Sequence, residues 1–201
     1  MNIHLFRHGQ IEGPAALYGK SDVPLSEQGF ASLSRAVIDV PAADLIISSP
    51  LQRCLAFALS TATQNKCPLV TDANLREMDF GDWDGEPYRE DDPSWEQKRR
   101  FWRSPANNTP PNGEALQDMY SRVTEAWATL ITRPEHTVWV FTHGGVIRLI
   151  LAELLGLDWR NPALYATLQI AYASRTDITI GRHKGTLTAQ LNTVAAPAPN
   201  F

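Results

Sequence analysis

Apolar positions along this chain follow two alternating rhythms. Short runs at Ile3 to Phe6, Leu45 to Ser48, Pro68 to Thr71 and Val138 to Thr142 have the character of strands covered on both faces. Between them, Ser26 to Asp39, Leu51 to Thr63, Ala115 to Thr132 and Gly145 to Leu155 repeat apolar residues at helical spacing. Such alternation predicts a layered α/β fold with a mainly parallel sheet. Ser26 and Gly29 behind Pro24 mark an entry turn for the first helix, and Asn112 ahead of Glu114 is a candidate cap for the run from Ala115. Later, Thr167 to Ala173, Asp177 to Ile180 and Thr186 to Leu191 read as strands of a meander, with a turn at Arg182 to Gly185, extending one sheet edge.

The stretch from Gly85 to Pro111 breaks the pattern. It is polar, rich in Pro and Trp, and too long for a plain connection, which makes residues 85–111 a candidate lid with a short helix at Trp95 to Trp102. The remainder reads as one domain over residues 1–194, and the closing residues 195–201 as a disordered tail with nothing to bury. A chain of 201 residues with 43% hydrophobic content is large enough for a closed core. Its net charge of -4 gives no general affinity for nucleic acid, so any anion site has to be local. Two cysteines without metal or redox spacing, and a start that leads directly into a strand, predict the cytoplasm. The apolar run at Val146 to Leu155 is interrupted by Arg148 and Glu153 and is too short to span a bilayer. Nothing in the pattern distinguishes a monomer from a homodimer.

Chemistry-bearing residues follow the predicted strands. Arg7 and His8 end the first, Pro50 to Arg53 follow the second, Glu77 follows the third, and His143 with Gly144 follows the fourth. Loops leaving the carboxyl ends of parallel strands gather at one rim, so these groups can share a pocket. A neutral imidazole attacks phosphorus if its other ring nitrogen is tied to a carbonyl, which makes His8 the candidate nucleophile. Arg7 and Arg53 supply planar cationic donors for phosphoryl oxygens, and His143, Gly144 and nearby amides supply others. Glu77 is the candidate acid for the leaving alcohol, with Met78, Phe80 and Trp83 as an apolar neighbourhood that would raise its pKa. The scheme needs no metal and no cofactor. His4 and His8 lie ~13 Å apart along a strand, too far to share an ion.

The segments LFRHGQ, SSPLQRC, LREMDFGDWDG and FTHGGVIR occur in the order seen in the histidine phosphatase superfamily, which this chain resembles from Ile3 to about Leu157. The resemblance implies a three-layer α/β/α sandwich of the phosphoglycerate mutase-like kind. It also implies a phosphohistidine at His8, phosphate binding by Arg7, Arg53 and His143, and an acid at Glu77. Within the superfamily, LREMDFGDWDG and PPNGEAL look most like α-ribazole phosphatases of cobalamin biosynthesis, which implies a small-molecule phosphomonoester as the partner. Many relatives carry an asparagine a few residues after the histidine, where this chain reads IEGPA. Gln10, or the backbone amides around Gly19, are the candidate replacements.

Blander readings compete. Arg7 could pair with Glu12, Arg53 could lie on a solvated helix turn, and Glu77 could be a cap among Asp79, Asp82 and Glu86. Trp83, Trp95, Arg99 and Trp102 are candidate substrate contacts in the lid, although a core-covering helix face explains the Trp95 and Trp102 spacing and is preferred. Cys54 reads as a buried apolar position rather than a reactive thiol. Three functions remain in view: a phosphatase, with α-ribazole phosphate or a broader range of small phosphates as substrate; a mutase; and a non-catalytic phosphate-binding module.

Overall fold

The computed structural model describes residues 1–89, 91–183 and 186–199. Strands β1 (Asn2–Arg7), β2 (Leu45–Ser48), β3 (Leu69–Thr71), β4 (Thr137–Thr142), β5 (Arg175–His183) and β6 (Thr186–Ala196) form one sheet in the order β3-β2-β4-β1-β5-β6. The four on the β3 side run parallel, and β5 and β6 are antiparallel additions. Helices α1 (Glu27–Ala36), α2 (Gln52–Asn65), α3 (Trp95–Arg103), α4 (Leu116–Leu130), α5 (Gly144–Leu155) and α6 (Ala163–Ala166) complete the fold.

Strand alternation divides the core in two. On β1 and β4, Ile3, Leu5, Val138 and Val140 join a cluster with Met119, Val123 and Trp127 of α4 and Val146 and Ile150 of α5. Phe6, Trp139 and Phe141 belong to the opposite cluster, with Leu33 of α1 and Phe57 and Ala58 of α2. The sheet is therefore covered on both faces, a three-layer α/β/α arrangement, and its inner strands carry apolar residues at nearly every position for that reason. No helix among the described residues is long and apolar enough to cross a membrane.

Local signals act where expected at the first helix, where the Ser26 side chain caps α1 by accepting from Gly29 N at 3.0 Å. Asn112 does not cap α4. Ala115 stands at that helix's N-cap, and Asn112 adopts a left-handed φ of 55° with its amide donating to Asp82. Thr167 to Ala173 is not a strand either. It is a loop after α6, closed by a turn from Ser174 N to Ala171 O and passing through Ala173 at φ 53°. Its carbonyls serve the side chains of Arg7 and Arg148 instead of a ladder. The late strands are longer than the pattern predicts, and Ala195 and Ala196 end β6 rather than fraying. Ala198 packs against the second core cluster. Of the expected turn at Arg182 to Gly185, Arg182 lies in β5, while Lys184 and Gly185 are outside the described residues, as are Asn200 and Phe201 of the tail.

Candidate active site

The rim at the carboxyl ends of β1 and β4 brings the predicted groups together. His8 N donates to Thr142 O at 2.9 Å, which ties the two strand ends to each other. The rings of His8 and His143 then stand 5.2 Å apart between centroids. Gly9 is obligatory here, because a side chain would collide with the backbone of Gly29 in the first turn of α1.

His8 is buried at 5% exposure, and its Nδ1 lies 2.8 Å from Gly9 O. A carbonyl can only accept, so Nδ1 carries the proton and Nε2 keeps its lone pair. Burial first, and then the charges of Arg7 and Arg53, hold the His8 pKa well below the ordinary histidine value, with the Gly9 bond partly opposing. His8 is neutral at physiological pH and presents a lone pair among cations.

His143 is fully buried, and its pKa is also held well below the usual value, by burial and then by Arg53, His8 and Arg7. Nδ1 accepts from Arg53 Nε at 3.3 Å, so Nε2 carries the proton and faces Ser49 Oγ at 2.8 Å. A phosphoryl oxygen bound by this ring would take the place of Ser49.

The two arginines differ in what they have left to give. Arg53 lies inside the protein, not on a solvated turn, and donates to Ser21 O at 2.8 Å, Gly19 O at 2.7 Å and Tyr18 O at 3.1 Å besides His143. A guanidinium has five N–H groups. Among the described residues, Arg53 retains a single one for a phosphate, and its main work is to hold the loop at Tyr18 to Ser21. Arg7 forms no salt bridge with Glu12 and donates to Ile170 O at 2.6 Å through Nη1. Its buried Nε has no partner among the described residues. An unpaired buried donor costs roughly 1–3 kcal/mol, which an incoming phosphoryl oxygen would relieve. Arg7 is thus the more open fork.

Glu77 does not sit in the apolar neighbourhood expected of it. Met78, Phe80 and Trp83 turn into the core, while the Glu77 carboxylate accepts from Met78 N and Gly145 N, both at 3.1 Å. A side chain at Gly145 would run into Glu77 Oε1.

Other expectations fail for reasons that lie elsewhere in the fold. The amides of Gly19, Lys20 and Ser21 are already occupied by the Asp84 carboxylate at 3.0, 2.7 and 3.0 Å, so they cannot replace the family asparagine. Gln10, the other candidate, stays available for that role: it is exposed, its backbone carbonyl accepts from Ser26, and its side-chain amide has no partner among the described residues. Trp83 is a core residue packed edge-on to Phe101 and is no lid contact. On α3, Phe101 enters the core and Trp102 lays one side of its ring against Phe101 and Phe80, so the core-covering reading holds for Trp102 in part, while Trp95 stays outside. Trp95 and Trp102 remain 51% and 39% exposed and line a cleft of about 610 Å³ with Tyr88, Arg89, Lys98 and Arg99. Lys98 is spent on Asp92 at 2.6 Å, and Arg99 pairs with Glu96. Cys54 is buried, its thiol pKa pushed far up by burial. No cluster of three or more metal-ligating side chains occurs among the described residues.

Two site residues escape sequence reasoning. Arg148, one turn into α5, approaches Glu77 and Arg7 and is anchored by Nε to Leu168 O at 2.9 Å. Its sequence signals are a charge inside an apolar helix and its place at the end of the FTHGGVIR segment, neither of which assigns it a role. Arg122 of α4 donates to the carbonyls of Asn74, Arg76 and Glu77 and is held by Glu114, so it rivets the loop that presents the acid.

Residues 3–193 match the family model for the histidine phosphatase superfamily (branch 1). The chain is 32% identical over 169 residues to a glucosyl-3-phosphoglycerate phosphatase of Mycolicibacterium vanbaalenii, covering 78% of this chain and 75% of that protein. It is also 32% identical over 193 residues to a 2,3-bisphosphoglycerate-dependent phosphoglycerate mutase of Bartonella quintana, covering 88% and 93%. A mycobacterial glucosyl-3-phosphoglycerate phosphatase structure superposes with a TM-score of 0.82 at 27% identity, covering 98% of this chain and 99% of the other. The α-ribazole phosphatase of Shigella flexneri, at 23% identity, a TM-score of 0.78 and full coverage of both chains, shares the fold. The order of the strand-end motifs, the two facing histidines and the match over nearly the whole length lead to one conclusion: this chain belongs to the histidine phosphatase superfamily.

Proposed function

We propose that the protein is a metal-independent phosphomonoesterase that works through phosphohistidine at His8. The observation that carries this reading is the buried His8 ring, locked by Gly9 O so that Nε2 bears its lone pair beside the Arg7 guanidinium. Nε2 attacks phosphorus in line, the P–O bond to the alcohol breaks, and Glu77 delivers a proton to the departing oxygen. Water then attacks the phosphohistidine, Glu77 takes its proton, and the P–N bond breaks to release phosphate and neutral His8. Arg7, the remaining N–H of Arg53, His143 and Arg148 oppose the charge on the transferring group.

For the substrate, we propose α-ribazole phosphate, as the LREMDFGDWDG and PPNGEAL segments suggest. The exposed aromatic cleft of Tyr88, Trp95 and Trp102 supports a leaving group with a planar ring. A second reading, a phosphorylated sugar acid, is favoured by the relatives that act on phosphoglycerate compounds and by Arg89 and Arg99 in the same cleft, whose pairs with Glu86 and Glu96 are long and solvent-exposed and so leave both guanidinium groups able to meet a second anion. The test is phosphate release from α-ribazole phosphate, glucosyl-3-phosphoglycerate, 3-phosphoglycerate and simple sugar phosphates in EDTA, for wild type and His8→Ala. Preference for the first, abolished in the variant, supports the full proposal. Preference for the sugar acids moves the substrate and keeps the chemistry, and transfer to a second hydroxyl instead of water would make the protein a mutase. Tight phosphate binding without turnover would make it a binding module.

A further inference from the structure

The loop from Thr167 to Ser174 touches the reaction centre more often than any sequence signal foretells. Arg7 donates to Ile170 O through Nη1 and to Ser174 O through its backbone N, Ala173 N donates to His8 O, and Arg148 Nε donates to Leu168 O. The loop reaches these partners by turning through Ala173 at φ 53°, a conformation that non-glycine residues adopt at some cost. This turn sets Tyr172 beside the nucleophile. Its ring lies 4.0 Å from Arg7 Cζ and 5.5 Å from the His8 ring, and the residue is 46% exposed.

We propose that Tyr172 is a positioning residue. Its ring face holds the Arg7 guanidinium at the nucleophile without occupying any of the N–H groups that phosphoryl oxygens need. The inference rests on the phosphoryl-transfer reading of the site. A partly buried guanidinium needs a partner, and a carboxylate would be the usual one. Here a carboxylate on the Arg7 fork would repel the phosphoryl dianion and fill the donors meant for it. An aromatic face attracts the cation through its quadrupole and leaves the edge of the guanidinium open. Three observations agree: Arg7 has no salt bridge among the described residues, its Nε is unpaired, and the Tyr172 hydroxyl makes no hydrogen bond among them. The ring is the part in use.

The experiment measures inorganic phosphate binding by calorimetry, and kcat and KM on an aryl phosphate, for wild type, Tyr172→Phe, Tyr172→Leu, Arg7→Ala and Arg7→Ala/Tyr172→Leu. Tyr172→Phe should stay within about two-fold of wild type, and Tyr172→Leu should weaken phosphate binding about 5- to 30-fold. In the Arg7→Ala background, the same Leu substitution should change binding by less than about two-fold, since the residue acts through Arg7. Equal losses in both backgrounds, or equal damage from Phe and Leu, overturn the assignment. Arginine side-chain NMR supplies a readout that needs no ringless variant: a ring-current shift on Arg7 Nε–H in wild type and Tyr172→Phe supports the proposal, and its absence overturns it. Coupling without turnover would sink the phosphatase reading alone, whereas turnover without coupling would sink this one alone.

Discussion

Two histidines buried neutral in one pocket make the protein's stability depend on pH in a direction the structure dictates. His8 and His143 have pKa values held well below the ordinary value of 6.5 in the folded state, burial being the first cause in each. In the unfolded chain both titrate near 6.5. As pH falls through that value, the unfolded state takes up protons that the folded state refuses, so folding stability declines toward acid. Each group that stays neutral in the folded state contributes on the order of 1 kcal/mol between pH 7 and 5.5. The pair together amounts to about 2 kcal/mol, which for a chain of this length is a fall in Tm of several degrees, about 4–8 °C. The lowered pKa of Asp177 does not mask this, because its stabilisation is lost only as pH falls below the ordinary carboxylate range. Scanning calorimetry in phosphate-free buffers at both pH values, for wild type and His8→Gln, isolates the effect. Removing one of the two groups should halve the pH-dependent fall. A Tm that is flat over this range, or a fall of the same size in both proteins, would refute the claim that His8 is held neutral by its surroundings.

Further outcomes bear on the chemistry. His8→Ala should abolish turnover and the acid-labile phosphoenzyme, read by trapping with radiolabelled substrate and acid quench; normal activity in that variant would remove His8 from the nucleophile's role. Glu77→Gln should slow alkyl phosphates by about 10²- to 10⁴-fold and spare aryl phosphates, whose leaving groups need little protonation. Gly145→Ala, whose new methyl would displace the Glu77 carboxylate, should show the same leaving-group bias in steady-state kinetics, and an unbiased loss would separate the two residues. The acid limb of kcat/KM should lie below the ordinary histidine range, because His8 stays unprotonated there.

Much of this molecule is decided by local sequence. The apolar runs and helical repeats mark the elements that build the sheet and its covering helices, and Ser26 caps α1 three residues ahead of Gly29 as its spacing demands. The gathering of Arg7, His8, Arg53, Glu77 and His143 was legible too, because a parallel sheet sends all its carboxyl-terminal loops to one rim. What each of those groups has available was not. Arg53 spends most of its donors on carbonyls more than thirty residues away, and Asp84 closes the amides of Gly19 to Ser21 from across the chain. Trp83 turns inward, Trp102 only half covers Phe80 and Phe101, and Trp95 stays out, although nothing in their spacing separates them. The stretch from Thr167 to Ala173 has a strand's composition, yet Ile170 O bonds to Arg7, 163 residues distant, and Leu168 O to Arg148. Periodicity and capping report on neighbours in sequence and so determine the elements. Hydrogen bonds to distant backbone depend on where the chain returns, and only the tertiary structure settles which donors remain for a phosphate.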